Sequence, residues 1–537
     1  MTLQPADYKL PHDDWREHQL ESIHWCEDMD GVGIVEAPTG SGKTSFCAAV
    51  SQSHSVIALV RTKALQAENY GAMYGAEVLY GRANYNCVHP DNAGASCADC
   101  LHLEEGMHRC AYSERCTYLS RKECVKASPF ASLNYPYYLT AQWPRKNPPQ
   151  VLFLDEAHNV PEIITQWSGA TVTERDRIEW SLPDFPTITG KRQNGIFFVT
   201  SGPPPADEAI DWLAKARDTM AVHYRRLKKE AQTNAKKRDT LQKCEHLGHK
   251  LRNAKDALER CADDWYIRAG RTALKFGQEQ RPGFVAKPLT AKYHFPSYFL
   301  DGHSTIAMSA TIGDPKTFCE ELGVTDYRFR AVPSRFPPEA RQVHVLDVPS
   351  MGRKATQADF EHQADAIAKA ILSCPASWSG FIHVTRKREA KLLADRLAHR
   401  GLQDRVWVPP GWDGAYAPTD KQLSAWNTRR ERVPGSLCVG WSFFEGIDGL
   451  EERICIAAKV PWGYLGDEYE RERLHYSGSM YQQRAAWQLA QGLGRTRRGR
   501  EQDYDLGERR GLVCIADGSW SRVKSKLPVA VSEAIVT

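Results

Sequence analysis

Short runs of consecutive apolar residues recur along the chain, and several end at glycine, serine or acidic residues of the kind that make turns. Residues 33–38 (GIVEAP) run into a glycine-rich turn, after which residues 44–50 read as the start of a helix, so this stretch predicts strand, loop, helix. Similar runs stand at residues 56–60, 151–154, 305–308, 380–384, 437–439 and 454–457, with helical patterns between several of them. Continuous runs of this length suit strands buried on both faces, and strand–helix alternation predicts parallel α/β sheets.

Two stretches break that rhythm. Residues 81–126 are rich in cysteine and poor in apolar periodicity, so something other than a hydrophobic core is expected to hold them together. Residues 205–270 are helical and basic, with Leu247, Leu251 and Leu258 at roughly helical spacing, which predicts an inserted helical unit. A chain of 537 residues exceeds what one core organises, so several domains are expected. Composition adds little: 42% hydrophobic and 25% charged residues are an ordinary globular balance that excludes a disordered chain. The net charge of +4 is too small to argue for a polyanionic partner, so local clustering has to carry that case. No run approaches the roughly 18 apolar residues of a membrane span, and the first residues lack the apolar core of a signal peptide. A cytoplasmic protein without membrane contact is the expectation.

Residues 37–44 read Ala-Pro-Thr39-Gly40-Ser41-Gly42-Lys43-Thr44, a P-loop with Ala37 where the GxxxxGK[ST] pattern has its first glycine. Gly40 and Gly42 let backbone N–H groups curl around a β-phosphate, the following helix adds its positive end, and Lys43 reaches the β and γ oxygens. Thr44 can then ligate Mg2+. A chance glycine-rich loop does not explain the strand–loop–helix context ending in GKT. About 110 residues downstream, an apolar strand delivers Asp155 and Glu156 at its C-terminal end, in Asp-Glu-Ala-His158. Asp155 is suited to hold Mg2+, largely through water, and Glu156 to orient and deprotonate an attacking water for in-line phosphoryl transfer from ATP.

These residues resemble the superfamily 2 helicases, and further pieces of that pattern follow in order. Arg16 and Gln19 look like the adenine-side element, residues 62–66 like motif Ia, Ser309-Ala310-Thr311 like motif III, and Gly446 with Asp448 like motif V. Gln491-Gly-Leu-Gly-Arg495-Thr-Arg-Arg498 looks like motif VI. Within the superfamily the chain is most similar to the XPD/DinG group of iron-sulfur DNA helicases, because cysteines lie between motif Ia and the DEAH box. Asn84-Tyr-Asn-Cys87, Cys116-Thr-Tyr118, Leu133-Asn-Tyr135, Ser334-Arg-Phe-Pro337 and Glu445-Gly-Ile-Asp448 share that group's wording.

The resemblance implies two RecA-like parallel-sheet domains with an inserted iron-sulfur lobe and a helical arch. The first RecA-like domain is expected at residues 1–80, 127–170 and 286–330, the lobe at 81–126, the arch at 171–285 and the second RecA-like domain at 331–537. ATP would bind at Arg16, Gln19, residues 39–44, Gly446 and Asp448. Arg495 and Arg498, with Gln491 beside them, would act from the second domain on the transferring γ-phosphoryl, a role worth ~10^3 to 10^5 in rate for arginine fingers.

Six of the fifteen cysteines fall at positions 87, 97, 100, 110, 116 and 124. A [4Fe-4S] cluster, which the resemblance implies, needs four thiolates. Cys87, Cys110 and Cys116 with Cys100 are the expected set, Cys97 being nearly as good a choice as Cys100. Cys124 reads as part of a helix leading away, buried as a small apolar residue. The alternative is a structural zinc, since Cys97-x2-Cys100 has knuckle spacing.

Between Lys215 and Arg260 stand 14 Lys or Arg against 6 Asp or Glu, a helical surface that would attract phosphates or be an ordinary solvated helix pair. Tyr85, Tyr112, Tyr118, Tyr135, Tyr137 and Tyr138 lie in or near the cysteine stretch, as a group able to stack bases. The expected activity is an ATP- and Mg2+-dependent DNA helicase, monomeric, moving on single-stranded DNA with the 5'-to-3' polarity of the family. Forked and duplex DNA, and RNA–DNA hybrids, are the expected further substrates. A translocase that remodels R-loops or proteins without processive unwinding, and a catalytically silent nucleic-acid-binding subunit, are the rival readings.

Overall fold

The computed structural model describes residues 3–92, 94–100, 103–104, 107–108, 110–141, 143–186, 190–193, 196–199, 204–233, 237–272, 281–334, 336–409, 420–440, 452–494 and 511–536. Two seven-stranded parallel sheets organise it. The first is built from Val32–Glu36 (β1), Val56–Val60 (β2), Glu77–Leu79 (β3), Phe130–Asn134 (β4), Val151–Asp155 (β5), Ser304–Ser309 (β6) and Arg328–Ala331 (β7), in the order β7-β1-β6-β5-β2-β4-β3. The second contains Val343–Val345 (β8), Gly380–His383 (β9), Val406–Trp407 (β10), Leu437–Gly440 (β11), Ile454–Ala457 (β12), Leu512–Ile515 (β13) and Ile535–Val536 (β14), in the order β10-β11-β9-β12-β13-β8-β14.

The apolar runs become strands because both sheet faces are covered. Every residue of β2 and β5 is buried, and two core clusters form on opposite faces of the first sheet, one around Leu59, Leu133 and Leu154, the other around Phe46, Val60 and Phe153. Alternate residues of one strand therefore serve different cores, which is why no polar position interrupts the run. Strand order matters for function. β1 and β5 are separated by β6, so the turn after β1, the acids ending β5 and the Ser309 turn ending β6 open at the same sheet edge.

Two units interrupt the first sheet. One lies between β3 and β4 and carries the cysteines. The other, between β5 and β6, pairs the long helices Ala206–Thr233 and Lys237–Arg260 and adds a three-stranded antiparallel sheet of Ala170–Thr173, Trp265–Thr272 and Arg281–Pro288. Leu247, Leu251 and Leu258 are buried on the second helix, against a core that includes Trp212, Met220 and Phe284. Their spacing thus marked the inward face, as expected, while the antiparallel sheet at the base was not foreseen. Among the described residues no helix is long and apolar enough to cross a membrane.

Candidate nucleotide site and cysteine lobe

The P-loop turn closes through two left-handed glycines, Gly40 (φ +86°) and Gly42 (φ +85°), a conformation in which side-chain-bearing residues are strained. A Cβ at Gly42 would also lie 2.6 Å from Gln19 Nε2, so that side chain would have to shift. The Ser41 hydroxyl and N–H both donate to the Pro38 carbonyl, at 2.7 and 3.1 Å, and Thr39 is exposed at the tip of the loop. Lys43 and Thr44 open the helix Lys43–Val50, and Lys43 Nζ donates to the Ala37 carbonyl at 2.9 Å, within the loop that would enclose phosphates. Gln19 is buried. Its Oε1 accepts from the Arg16 N–H at 2.9 Å, its Nε2 donates to Ser45 Oγ at 2.5 Å, and the Arg16 guanidinium donates to the Gly40 carbonyl. The upstream element is therefore fastened directly to the loop.

Asp155 is buried at the end of β5, and its carboxylate is fixed from two sides. Tyr70 Oη donates to Oδ2 at 2.9 Å and the Glu156 N–H donates to Oδ1 at 2.9 Å, while Tyr135 Oη donates to the Asp155 main-chain carbonyl at 2.7 Å. Burial and then the charge of Glu156 push the Asp155 carboxyl up to about 6, opposed by Lys43 and the Tyr70 hydroxyl. A bound cation would relieve both penalties. Glu156 has φ +50°, the left-handed region, a strained backbone for a non-glycine residue of the kind that concentrates at functional sites.

From Glu156 a polar chain leads to the second sheet's domain. His158 lies 3.4 Å from the Glu156 carboxylate and its Nδ1 shares a 2.8 Å hydrogen bond with Ser309 Oγ. Ser309 Oγ accepts from the Thr311 N–H at 3.1 Å, and Thr311 Oγ1 accepts from Gln491 Nε2 at 3.2 Å. Gln491 belongs to the helix Gly478–Leu493, which also presents Gln483 and Trp487 to the Ile312 carbonyl at 3.1 and 2.8 Å. Buried Glu36, at the end of β1, accepts from the Gly313 N–H at 2.6 Å and from the Val529 N–H at 2.8 Å. Below the site, Arg473 of the second domain pairs with Glu162 at 2.9 Å, in the helix that follows the DEAH turn. The two halves thus face each other at the edge where the P-loop and Asp155 open.

Gly446, Asp448, Arg495 and Arg498 lie outside the described residues. Sequence reading did not single out Tyr70, Glu36, Gln483 or Trp487. The partners described above for them are between 85 and 493 residues away, and no local spacing announces such a contact.

In the cysteine lobe, Cys97 Sγ lies 3.9 Å from Cys116 Sγ. Burial, then Cys116, push the Cys97 thiol up to about 12, with Cys87 and Cys100 adding to the effect. Cys110 Sγ accepts from the Tyr112 N–H at 3.4 Å. Among the described residues no three Cys, His, Asp or Glu side chains converge closely enough to hold a metal. The grouping of Cys87, Cys97, Cys100 and Cys116 nonetheless supplies the soft thiol donors that iron or zinc takes. Cys124 corrects the expectation of burial: it is exposed on the helix Thr117–Ala127, whose inward positions are Tyr118 and Val125. The tyrosines divide as well. Tyr118, Tyr135 and Tyr138 are buried, Tyr135 on Asp155 and Tyr138 stacked on Phe299, so they offer no face to a base; Tyr85, Tyr112 and Tyr137 are only partly covered.

The lobe touches the helical insertion through Gln242 Nε2, which donates to Asp99 Oδ1 at 2.7 Å, and through Arg82 and Glu245 at 3.7 Å. Much of the insertion's positive charge is paired along its own helices, as in Lys215–Asp211, Lys243–Asp239 and Lys255–Glu259.

No protein-family model matches this chain, and no curated protein matches it. Solved structures do. An XPD helicase superposes with a TM-score of 0.53 at 14% identity, covering 93% of this chain and 94% of that one. An apo XPD gives 0.51 at 14% identity, covering 95% and 98%. Over almost its whole length, the chain has the fold of an XPD helicase, two RecA-like domains carrying two insertions.

Proposed function

We propose that the chain is an ATP-driven motor on nucleic acid, a helicase that moves along single-stranded DNA in the 5'-to-3' direction and opens duplex ahead of it. The observation that carries this reading is the hydrogen-bonded chain from His158 through Ser309 and Thr311 to Gln491, which links the DEAH turn to the opposite domain and starts 3.4 Å from the Glu156 carboxylate. Lys43 would take the β and γ phosphate oxygens, Thr44 and Asp155 would hold Mg2+, and Glu156 would orient the attacking water. Arg495 and Arg498 would stabilise charge on the γ-phosphoryl when the domains close. Closure would then depend on nucleotide, and alternating closure would ratchet the strand.

In the lobe, Cys87, Cys110 and Cys116 with Cys100 or its neighbour Cys97 would hold a [4Fe-4S] cluster, which would supply four bonds where the lobe has little apolar core. One strand would run past the place where the lobe meets the helical insertion, at the Gln242–Asp99 contact.

ATP hydrolysis with and without single-stranded DNA tests the reading, combined with strand displacement on substrates carrying a 5' or a 3' tail. Stimulated turnover that Lys43→Ala abolishes, with unwinding only from the 5' tail, is expected. Absence of turnover in the wild-type protein would overturn the proposal.

A further inference from the structure

Tyr70 belongs to no motif, yet it is the only side chain among the described residues that donates a hydrogen bond to the carboxylate proposed to hold Mg2+. It sits in Leu65–Met73, a π-helical segment that begins three residues after Thr62, whose hydroxyl accepts from the Leu65 N–H at 3.3 Å. π-helical turns are rare and cluster at functional sites. Within this one, Gln66 and Tyr70, four residues apart, are the two buried side chains. Gln66 Nε2 binds the Leu79 and Ser132 carbonyls at 3.1 and 2.6 Å, anchoring the turn to β3 and β4. Tyr70 crosses beneath β2 to Asp155 Oδ2 at 2.9 Å, and its hydroxyl also lies 3.9 Å from Cys47 Sγ in the P-loop helix. The phenol is fully buried, with its ring tilted against that of Phe130.

A carboxylate offers about four lone-pair positions. The Glu156 N–H fills one on Oδ1 and Tyr70 fills one on Oδ2, which fixes the plane of the group and leaves its remaining positions for the cleft. Tyr70 is well suited to this work because its hydroxyl is neutral. It stabilises the charged carboxylate without the competing positive charge that a lysine or arginine would bring against a cation.

We infer that Tyr70 is a positioning residue for the metal step: it holds the Asp155 carboxylate in the orientation that receives Mg2+ with the nucleotide. The inference rests on the proposed nucleotide site and adds a residue to it. Partners of this kind typically change metal affinity 10- to 100-fold when removed.

The test is Tyr70→Phe, which keeps the ring and deletes the hydroxyl. Tyr138→Phe serves as the control, because it deletes another buried tyrosine hydroxyl, one that makes no hydrogen bond among the described residues and whose ring stacks on Phe299. Mn2+ binding in the presence of a non-hydrolysable ATP analogue is read by electron paramagnetic resonance, alongside the Mg2+ dependence of ATP hydrolysis and the thermal midpoint. In Tyr70→Phe the Mn2+ dissociation constant and the Mg2+ midpoint should each rise about tenfold. Metal-free nucleotide binding and the thermal midpoint should stay close to wild type, and excess Mg2+ should restore kcat. Tyr138→Phe should keep the wild-type metal midpoint. An unchanged Mn2+ dissociation constant, an equal shift in the control, or a loss that excess Mg2+ does not restore would overturn the inference. If the wild-type protein hydrolyses no ATP, the functional proposal fails, and the Mn2+ titration still decides the role of Tyr70.

Discussion

The two insertions in the first sheet are held together by different means. The helical one has a core of its own, in which Trp212, Met220, Leu251 and Phe284 pack between two long helices and a three-stranded sheet. In the cysteine lobe the buried residues Cys97, Tyr118 and Val125 join the core of the adjoining sheet, and its other described elements are single 3-10 turns and a pair of two-residue strands beside the helix Thr117–Ala127. An insertion with an apolar core carries its own stability. One without it must borrow from its neighbour or from bonds to a metal.

That contrast is sharpened most by removing a thiol. Cys116→Ser should release the backbone of residues 85–116, raising its hydrogen exchange by about a hundredfold or more, while nucleotide binding at Lys43 changes by less than about threefold. Protection that survives the substitution would mean the lobe holds itself by packing. Next in size is Leu251→Ala, which empties a fully buried position and should cost about 2–5 kcal/mol in denaturant melts of the helical unit, with the lobe's exchange unaltered.

A smaller effect is expected where the helical unit returns to the first sheet. His294 is buried beside Trp265, and burial followed by the Arg260 charge lowers its pKa to about 4. The unfolded chain takes up that proton near pH 6.5 and the folded chain only near 4. The stability His294 contributes is therefore intact above about 6.5 and falls as pH drops towards 4, by roughly 1–3 kcal/mol. His294→Phe should flatten that part of the stability profile, and an unchanged slope would assign it to other groups. Smallest is Glu259→Gln, which breaks the 2.5 Å pair with Lys255 on the surface and should cost no more than about 0.5 kcal/mol. A larger loss would show that paired surface charge, and not the core, supports this unit.

The sheets were legible because burial on both faces leaves an unbroken apolar record. Residues 56–60 and 454–457 coincide with β2 and β12. The P-loop was legible because phosphate contact demands glycine at positions where the backbone turns left-handed. Reading failed where the informative partner is distant in sequence. Nothing around Tyr135 says that its hydroxyl reaches the main-chain carbonyl of Asp155, so its neighbours in sequence group it with the base platforms. Cys124 was misjudged because helical position, not residue type, set its exposure.

The decisive claim is that one ATP is gripped from both halves of the molecule. Single-turnover hydrolysis by Arg495→Ala, measured with saturating single-stranded DNA and paired with nucleotide affinity, tests it most directly. A loss of about a thousandfold in the hydrolysis step, with ATP affinity within a few-fold of wild type, is expected. Hydrolysis at the wild-type rate would contradict a site completed across the cleft.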